Sequence, residues 1–169
     1  MNLETPRLII RRFQPSDLTD LHEILSDAET MRFCEPPYDI AKTEAFLHDF
    51  CIARKGALAA VEKNSGKVIG YILFNSIGEG EFESGWFINR SCWRQGYAYE
   101  AMSEIFKRAF SDGAVRIFAE AIDPVKSVGL MKKLGMKLCE VQKGAAKDLD
   151  GNVCDMLVYE LRREDFINM

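Results

Sequence analysis

The chain has 169 residues, 47% of them hydrophobic and 28% charged, with a formal net charge of −4. These are globular proportions, so they exclude a fibre or a disordered chain, and the acid excess excludes a protein built to coat nucleic acid. A chain of this length reads as one domain, residues 1–169, able to bury about 70% of its extended surface.

No apolar run approaches a bilayer span, and Met1-Asn2-Leu3-Glu4 has no basic segment leading into an apolar stretch. Neither secretion nor a membrane partner is expected. The five cysteines, Cys34, Cys51, Cys92, Cys139 and Cys154, include no close pair, and His22 and His48 lack a paired-ligand spacing. This implies a reducing, cytoplasmic location and no metal site.

In chain order, Leu8 to Phe13 reads as a first strand. Gln14-Pro15-Ser16-Asp17 stops it and caps a helix whose apolar face is Leu18, Leu21, Ile24 and Leu25. Pro36-Pro37 breaks the chain before a second helix from Asp39 to Arg54, facing inward through Ile40, Ala41, Phe46 and Phe50. Strands at 57–61, 68–74 and 81–88 follow, separated by turn signals at Asn64-Ser65-Gly66 and Gly78-Glu79-Gly80. Turns this short make an antiparallel meander. Its last strand places Phe82, Ser84, Trp86 and Ile88 on one side, and Glu81, Glu83, Gly85 and Phe87 on the other.

The period then changes to helical, with Ala98, Ala101, Met102, Ile105, Phe106 and Ala109 on one face and Asp112-Gly113 at the end. A strand over 115–122 leads to a helix over 125–134, started by Asp123-Pro124 and striped by Val128, Met131 and Leu134. Gly135 is its C-cap. Two closing strands, 136–142 and 153–162, flank Asp150-Gly151, a hairpin signal. This order fits an α/β domain, a mixed sheet with helices on both faces.

The stretch that carries chemistry is Trp93-Arg94-Gln95-Gly96-Tyr97-Ala98, between a strand and a helix. Gly96 and Ala98 leave little bulk where the chain turns, and the free amides of a helix start hold phosphate oxygens, with Arg94 able to add charge. A glycine at such a junction also serves as an ordinary turn. A dinucleotide-binding oxidoreductase would need a Gly-rich turn after an early strand, and the sequence has none there.

Four stretches together resemble the GNAT superfamily, and within it the RimJ and RimL ribosomal-protein N-terminal acetyltransferases. They are Glu4-Thr5-Pro6-Arg7-Leu8-Ile9-Ile10-Arg11, Gly85-Trp86-Phe87-Ile88, Trp93 through Ala101, and Ser127 with Leu130-Met131-Lys132-Lys133-Leu134-Gly135-Met136. The resemblance implies a single three-layer domain whose sheet of six to seven strands splays into a V. Acetyl-CoA would lie in the V as co-substrate, its pantetheine bonded to the strand at Phe87 and Ile88. Its pyrophosphate would rest on Arg94, Gln95, Gly96, Tyr97 and Ala98. Asp123 and Ser127 would also touch it, with Asp123 standing where relatives carry Asn; an aspartate accepts hydrogen bonds but cannot donate as an amide does.

Acetyl transfer by direct attack in a ternary complex needs a base for the amine, donors for the carbonyl oxygen and stabilisation of the departing thiolate. Glu83 resembles acidic positions that take the amine proton, with Glu81 as its competitor. Ser127 matches the family serine at the thiol end. A main-chain N–H near Phe87 would meet the carbonyl oxygen. The acceptor, a small-molecule amine or a protein N-terminus, would meet Phe33, Glu35, Tyr38 and residues 143–150, in a monomer or homodimer. A non-catalytic CoA-binding module of the same fold is the alternative.

Overall fold

The computed structural model describes residues 2–123 and 125–167; the share of Pro124 in a helix start lies outside the described residues. Eight strands form one sheet: β1 (Leu3–Glu4), β2 (Leu8–Arg12), β3 (Ala57–Glu62), β4 (Val68–Gly78), β5 (Glu81–Ile88), β6 (Arg116–Ala121), β7 (Lys137–Lys147) and β8 (Val153–Arg162). Their order is β1-β2-β3-β4-β5-β6-β8-β7. Every pairing is antiparallel except that of β5 with β6. The helices are α1 (Leu18–Leu25), α2 (Ala28–Met31), α3 (Ile40–Phe46), α4 (Tyr97–Ser111), α5 (Lys126–Lys133) and α6 (Arg163–Ile167).

Strand alternation sorts the side chains into two cores. On one face Leu8, Ile10, Leu58, Ala60, Ile72 and Ile117 pack with Met102, Ile105 and Phe106 of α4 and Val128 and Met131 of α5. On the other, Ala57, Ala59, Val61 and Tyr71 pack with Leu21, Ile24 and Leu25 of α1, Met31 of α2 and the α3 region. The central strand β4 is buried on both faces over Val68–Tyr71, which suits a strand covered by helices on each side. The three-layer mixed sheet is as the resemblance implies.

Three details differ from the sequence reading. The sheet has eight strands instead of six or seven, because Leu3–Glu4 pairs with Ile9–Ile10 as a two-residue edge strand, too short to show alternation. The inward face of α3 is not Ile40 and Ala41, which are exposed, but Thr43, followed by Leu47 and Cys51. Asp39 accepts from the Lys42 amide (2.7 Å) and caps the helix, so Ile40 and Ala41 fall in its solvent-facing first turn. Thr43 is tolerated inside because its hydroxyl donates to the Asp39 carbonyl (2.8 Å) and lies 3.0 Å from His22 Nδ1. Beyond Phe46 the helix widens into a π-helix over Leu47–Ala53, which shifts the phase of the later residues. Finally, the Asp150-Gly151 turn belongs to a longer loop: Lys147 still pairs with Val153, and Asp148 accepts from the Asn152 amide (2.8 Å) across it.

Phe106 is 1% exposed at the centre of the larger core. Phe106→Ala is expected to cost about 3–5 kcal/mol of unfolding free energy. Denaturant titration monitored by circular dichroism checks this.

Candidate active site

The pairing of β5 with β6 is brief. Glu81, Phe82 and Glu83 lie beside Arg116, Ile117 and Phe118, and beyond them the two strands do not pair. Yet β5 continues to Ile88, and β6 continues to Ala121 against β8. The sheet therefore splays into a V whose vertex is Glu83. At the vertex the Ser84 hydroxyl donates to the Phe118 carbonyl (2.9 Å), a last cross-link before the arms part.

Backbone phase decides what β5 offers the opening. The Arg116 amide donates to the Gly80 carbonyl (3.4 Å), whereas the Asn89 amide donates to the Ile69 carbonyl (2.8 Å). Even-numbered residues of β5 thus turn their main-chain groups toward β6, and odd-numbered ones toward β4. Past the vertex, Trp86 and Ile88 face the V. This corrects the expectation for Phe87, whose backbone faces β4 and whose ring packs on Tyr71, centroids 5.6 Å apart. The Ile88 carbonyl accepts from the Trp93 indole N–H (2.7 Å), and Lys126 Nζ at the start of α5 lies 4.7 Å from the Trp93 ring centroid.

At the mouth of the V the backbone makes an anion cradle. Arg94 (φ 60°) and Gly96 (φ 85°) adopt left-handed conformations, and Gly96 is the N-cap of the 15-residue α4. The Glu100 amide takes the Gly96 carbonyl (3.0 Å), but no group among the described residues accepts from the amides of Arg94 through Tyr99. A run of free N–H groups at a helix start, reinforced by the helix dipole, suits phosphate oxygens. The side chains there are mostly occupied. Tyr97 donates its hydroxyl to Glu62 (2.5 Å) and Gln95 donates to the Ser91 carbonyl (3.0 Å), while Arg94 is exposed. Ala98 serves by being small.

Several acids surround the V. Glu83 is half-buried and forms no ion pair among the described residues; burial, then the nearby charge of Glu120, pushes its carboxyl above the ordinary range. Glu81 is committed elsewhere, to Arg116 (2.9 Å), which also holds Glu160 (2.6 Å). Glu35, one of the residues expected to meet the acceptor, is likewise occupied, accepting from Tyr38 (2.6 Å) and Lys42 (2.8 Å). Asp123 is buried and caps α5, accepting from the amides of Val125 (2.8 Å) and Lys126 (3.1 Å). Its carboxylate works within the fold and has little freedom to reach a ligand. Ser127, half-exposed in the first turn of α5, has no hydrogen-bond partner among the described residues.

Sequence reasoning missed Arg7 and Tyr71. Arg7 sits against the cradle, its guanidinium 4.1 Å from the Tyr97 ring centroid. Tyr71 faces the same side of the sheet as Glu83 and shares its ring contacts with Phe13, Phe46 and Phe87. In sequence it is indistinguishable from a core residue of a strand. Elements expected to face the acceptor are joined by ion pairs: Lys126 with Glu29 (2.9 Å), Glu29 with Arg32 (3.8 Å), and Arg32 with Asp150 (3.9 Å). A separate concavity of about 580 Å³, bounded by Arg12, Arg54, Lys55 and Phe82, lies at the other end of β5 from the cradle. No cluster of metal-ligating side chains occurs among the described residues, and no helix among them is long and apolar enough to cross a membrane.

A sheet parted between two parallel strands, with free amides at its mouth, defines a protein that takes an extended phosphate-bearing ligand between its strands. Residues 7–137 match the acetyltransferase (GNAT) domain family, so the chain belongs to the GNAT acetyltransferases and is an acetyl-CoA-dependent N-acetyltransferase. It is 28% identical over 141 residues to the N-acetyltransferase YnaD of Bacillus subtilis, covering 81% of this chain and 83% of YnaD. A GNAT-family acetyltransferase structure from Bacillus anthracis superposes with a TM-score of 0.87 at 25% identity, over 97% of this chain and 99% of that one. RimL, a ribosomal L7/L12 alpha-N-protein acetyltransferase solved in complex with coenzyme A, shares the fold with a TM-score of 0.83 at 16% identity, over 96% and 98% of the two chains.

A Cβ added at Gly96 would meet only Arg7 Nη2, at 3.5 Å, so the obstacle to substitution is the positive φ and not crowding. Gly96→Val would force the loop out of its left-handed turn, at a cost of about 1–2 kcal/mol, and misdirect the amides. The variant is expected to fold and to bind acetyl-CoA at least tenfold more weakly. Calorimetric titration measures the change.

Proposed function

We propose that the protein moves the acetyl group of acetyl-CoA to a primary amine by direct attack, with Glu83 as the base. The observation that carries this reading is Glu83 itself, a half-buried carboxylate without an ion pair among the described residues, at the point where β5 and β6 part. Acetyl-CoA supplies the activated acyl thioester. The cradle from Arg94 to Ala98 binds its pyrophosphate, and the main-chain groups of Trp86 and Ile88 line its path toward the vertex. The Trp86 N–H, the first free β5 amide past the vertex, is the donor placed to stabilise negative charge on the carbonyl oxygen. Ser127 donates a hydrogen bond at the sulfur end. The whole chain, residues 1–169, acts as one domain.

The acceptor we favour is the α-amine of a protein chain. RimL, which has the same fold, carries that activity in its name; the small-molecule amine is the competing substrate class. Thiol release measured over N-terminal peptides, polyamines and free amino acids discriminates them. Faster turnover of polyamines than of any peptide would reverse the choice.

A raised carboxyl pKa makes Glu83 a stronger base than an exposed glutamate. Its carboxylate form is lost as pH falls through that raised value. Glu83→Gln should lower turnover about a hundredfold near pH 7, with the gap narrowing as alkaline pH deprotonates the amine unaided. A parent-to-variant ratio independent of pH would remove Glu83 as base. The same shift has a stability sign. The folded state favours the protonated carboxyl, so its stabilising contribution is present at low pH and lost as pH rises through the folded pKa. Glu83→Gln should therefore raise the melting temperature at pH 8 and leave it unchanged at pH 4.

Ser127→Ala, assayed at saturating acetyl-CoA, should lower turnover about tenfold, the loss of one hydrogen bond of roughly 1–2 kcal/mol. Turnover within twofold of the parent would leave Ser127 a binding residue only.

A further inference from the structure

Arg7 lies far from the cradle in sequence but holds it from one side. Its Nε donates to Glu100 Oε2 (2.7 Å) and its own amide to Glu100 Oε1 (2.8 Å), while Nη1 donates to the Gln95 carbonyl (2.9 Å). The Thr5 hydroxyl adds a third bond to the Glu100 carboxylate (2.5 Å). Glu100 sits in the first turn of α4, so the segment joining β1 to β2 is tied to both the loop and the helix that follows it.

The Gln95–Gly96 peptide is trans, and in a trans peptide the C=O and N–H point in opposite directions. Because Arg7 grips the Gln95 carbonyl, the Gly96 N–H is aimed directly away from Arg7. The guanidinium is also the group nearest to the direction a Gly96 side chain would take. It therefore occupies the back of the turn and leaves the amide side open. Stacking on Tyr97 fixes the plane of the fork, and Tyr97 is itself anchored to Glu62 on β3.

We propose that Arg7 is a positioning residue of the diphosphate site: clamped by Glu100, it sets the Gln95–Gly96 peptide so that the Gly96 amide faces the phosphate oxygens. Its own charge stays behind the loop. This rests on the reading of the cradle as the acetyl-CoA pyrophosphate site. Burial works against the Glu100 charge, but the bonds from Thr5 and Arg7 outweigh it and hold its carboxyl below the ordinary range, so the clamp is intact at neutral pH.

A truncated thioester separates orientation of the cradle from general support of the fold. S-acetyl-pantetheine carries the same reacting group and no diphosphate. In Arg7→Gln, kcat/KM with acetyl-CoA should fall at least tenfold through KM, while kcat/KM with S-acetyl-pantetheine stays within twofold of the parent. Arg7→Lys keeps the charge but loses the fork that joins carboxylate to carbonyl, and should fall between parent and Arg7→Gln. Glu100→Gln, which leaves the guanidinium present but loosely held, should reproduce the acetyl-CoA-selective loss and serves where Arg7→Gln does not fold. Equal losses with both thioesters, or an unchanged KM for acetyl-CoA, would overturn the proposal. Calorimetry keeps the two readings apart: a parent protein that binds no coenzyme A refutes the cofactor site itself, whereas equal affinity in parent and Arg7→Gln refutes only the clamp.

Discussion

The short parallel ladder between β5 and β6 is the constraint on which the rest of the structure depends. Parallel strands need a crossover, and here the crossover is the loop from Asn89 to Gly96 followed by α4. Because the ladder ends at Glu83 and Phe118, the main-chain groups of Trp86 and Ile88 lose the partners a continuous sheet would provide. Main-chain groups left without partners are costly unless water, a side chain or a ligand satisfies them. Both arms of the V are packed into the larger core, β5 through Phe82 and Trp86 and β6 through Ile117, Ala119 and Ala121.

Electrostatic commitment then selects the reactive groups. Most acids around the V are already engaged: Glu81 and Glu160 by Arg116, Glu35 by Lys42, Glu29 by Lys126, and Asp123 by the backbone of α5. Among the described residues Glu83 has no ion pair, and the charge that acts on it is that of another carboxylate, Glu120. Burial and like charge both disfavour its ionised form. Burial also pushes the hydroxyl of nearby Tyr71 well above its ordinary value.

Much of this was legible in the sequence wherever side-chain periodicity reports burial. The strand read over 153–162 coincides with β8, and the α4 face of Ala101, Met102, Ile105 and Phe106 and the two faces of β5 follow from spacing. Periodicity failed where backbone geometry departs from the regular period, as in the π-helix beyond α3, or where a buried polar residue such as Thr43 breaks the apolar pattern. The cradle could be suspected from Gly96 and Ala98. The side chain that braces it could not, because Arg7 reaches it only after β2 and α4 are packed. The same holds for Glu81 and Glu35: composition counts their charges, but only the folded chain shows which cation has claimed each one.

Trp93 fastens the loop after β5 back onto the strand. Its indole turns back and donates its N–H to the Ile88 carbonyl. That bond satisfies one of the β5 groups which the splay leaves exposed. The ring then carries Lys126, whose ammonium also pairs with Glu29, so the indole links the β5 arm to the start of α5 and, through Lys126, to α2. The consequence is a division of labour along the cleft. In the proposed complex, with the Ile88 carbonyl engaged, the cofactor's amide groups would pair with the Trp86 main chain and the Ile88 N–H, and its phosphates with backbone amides instead of a side-chain cation. A site built on backbone amides depends on the setting of its peptide planes, and the bracing of Gln95 by Arg7 supplies that setting.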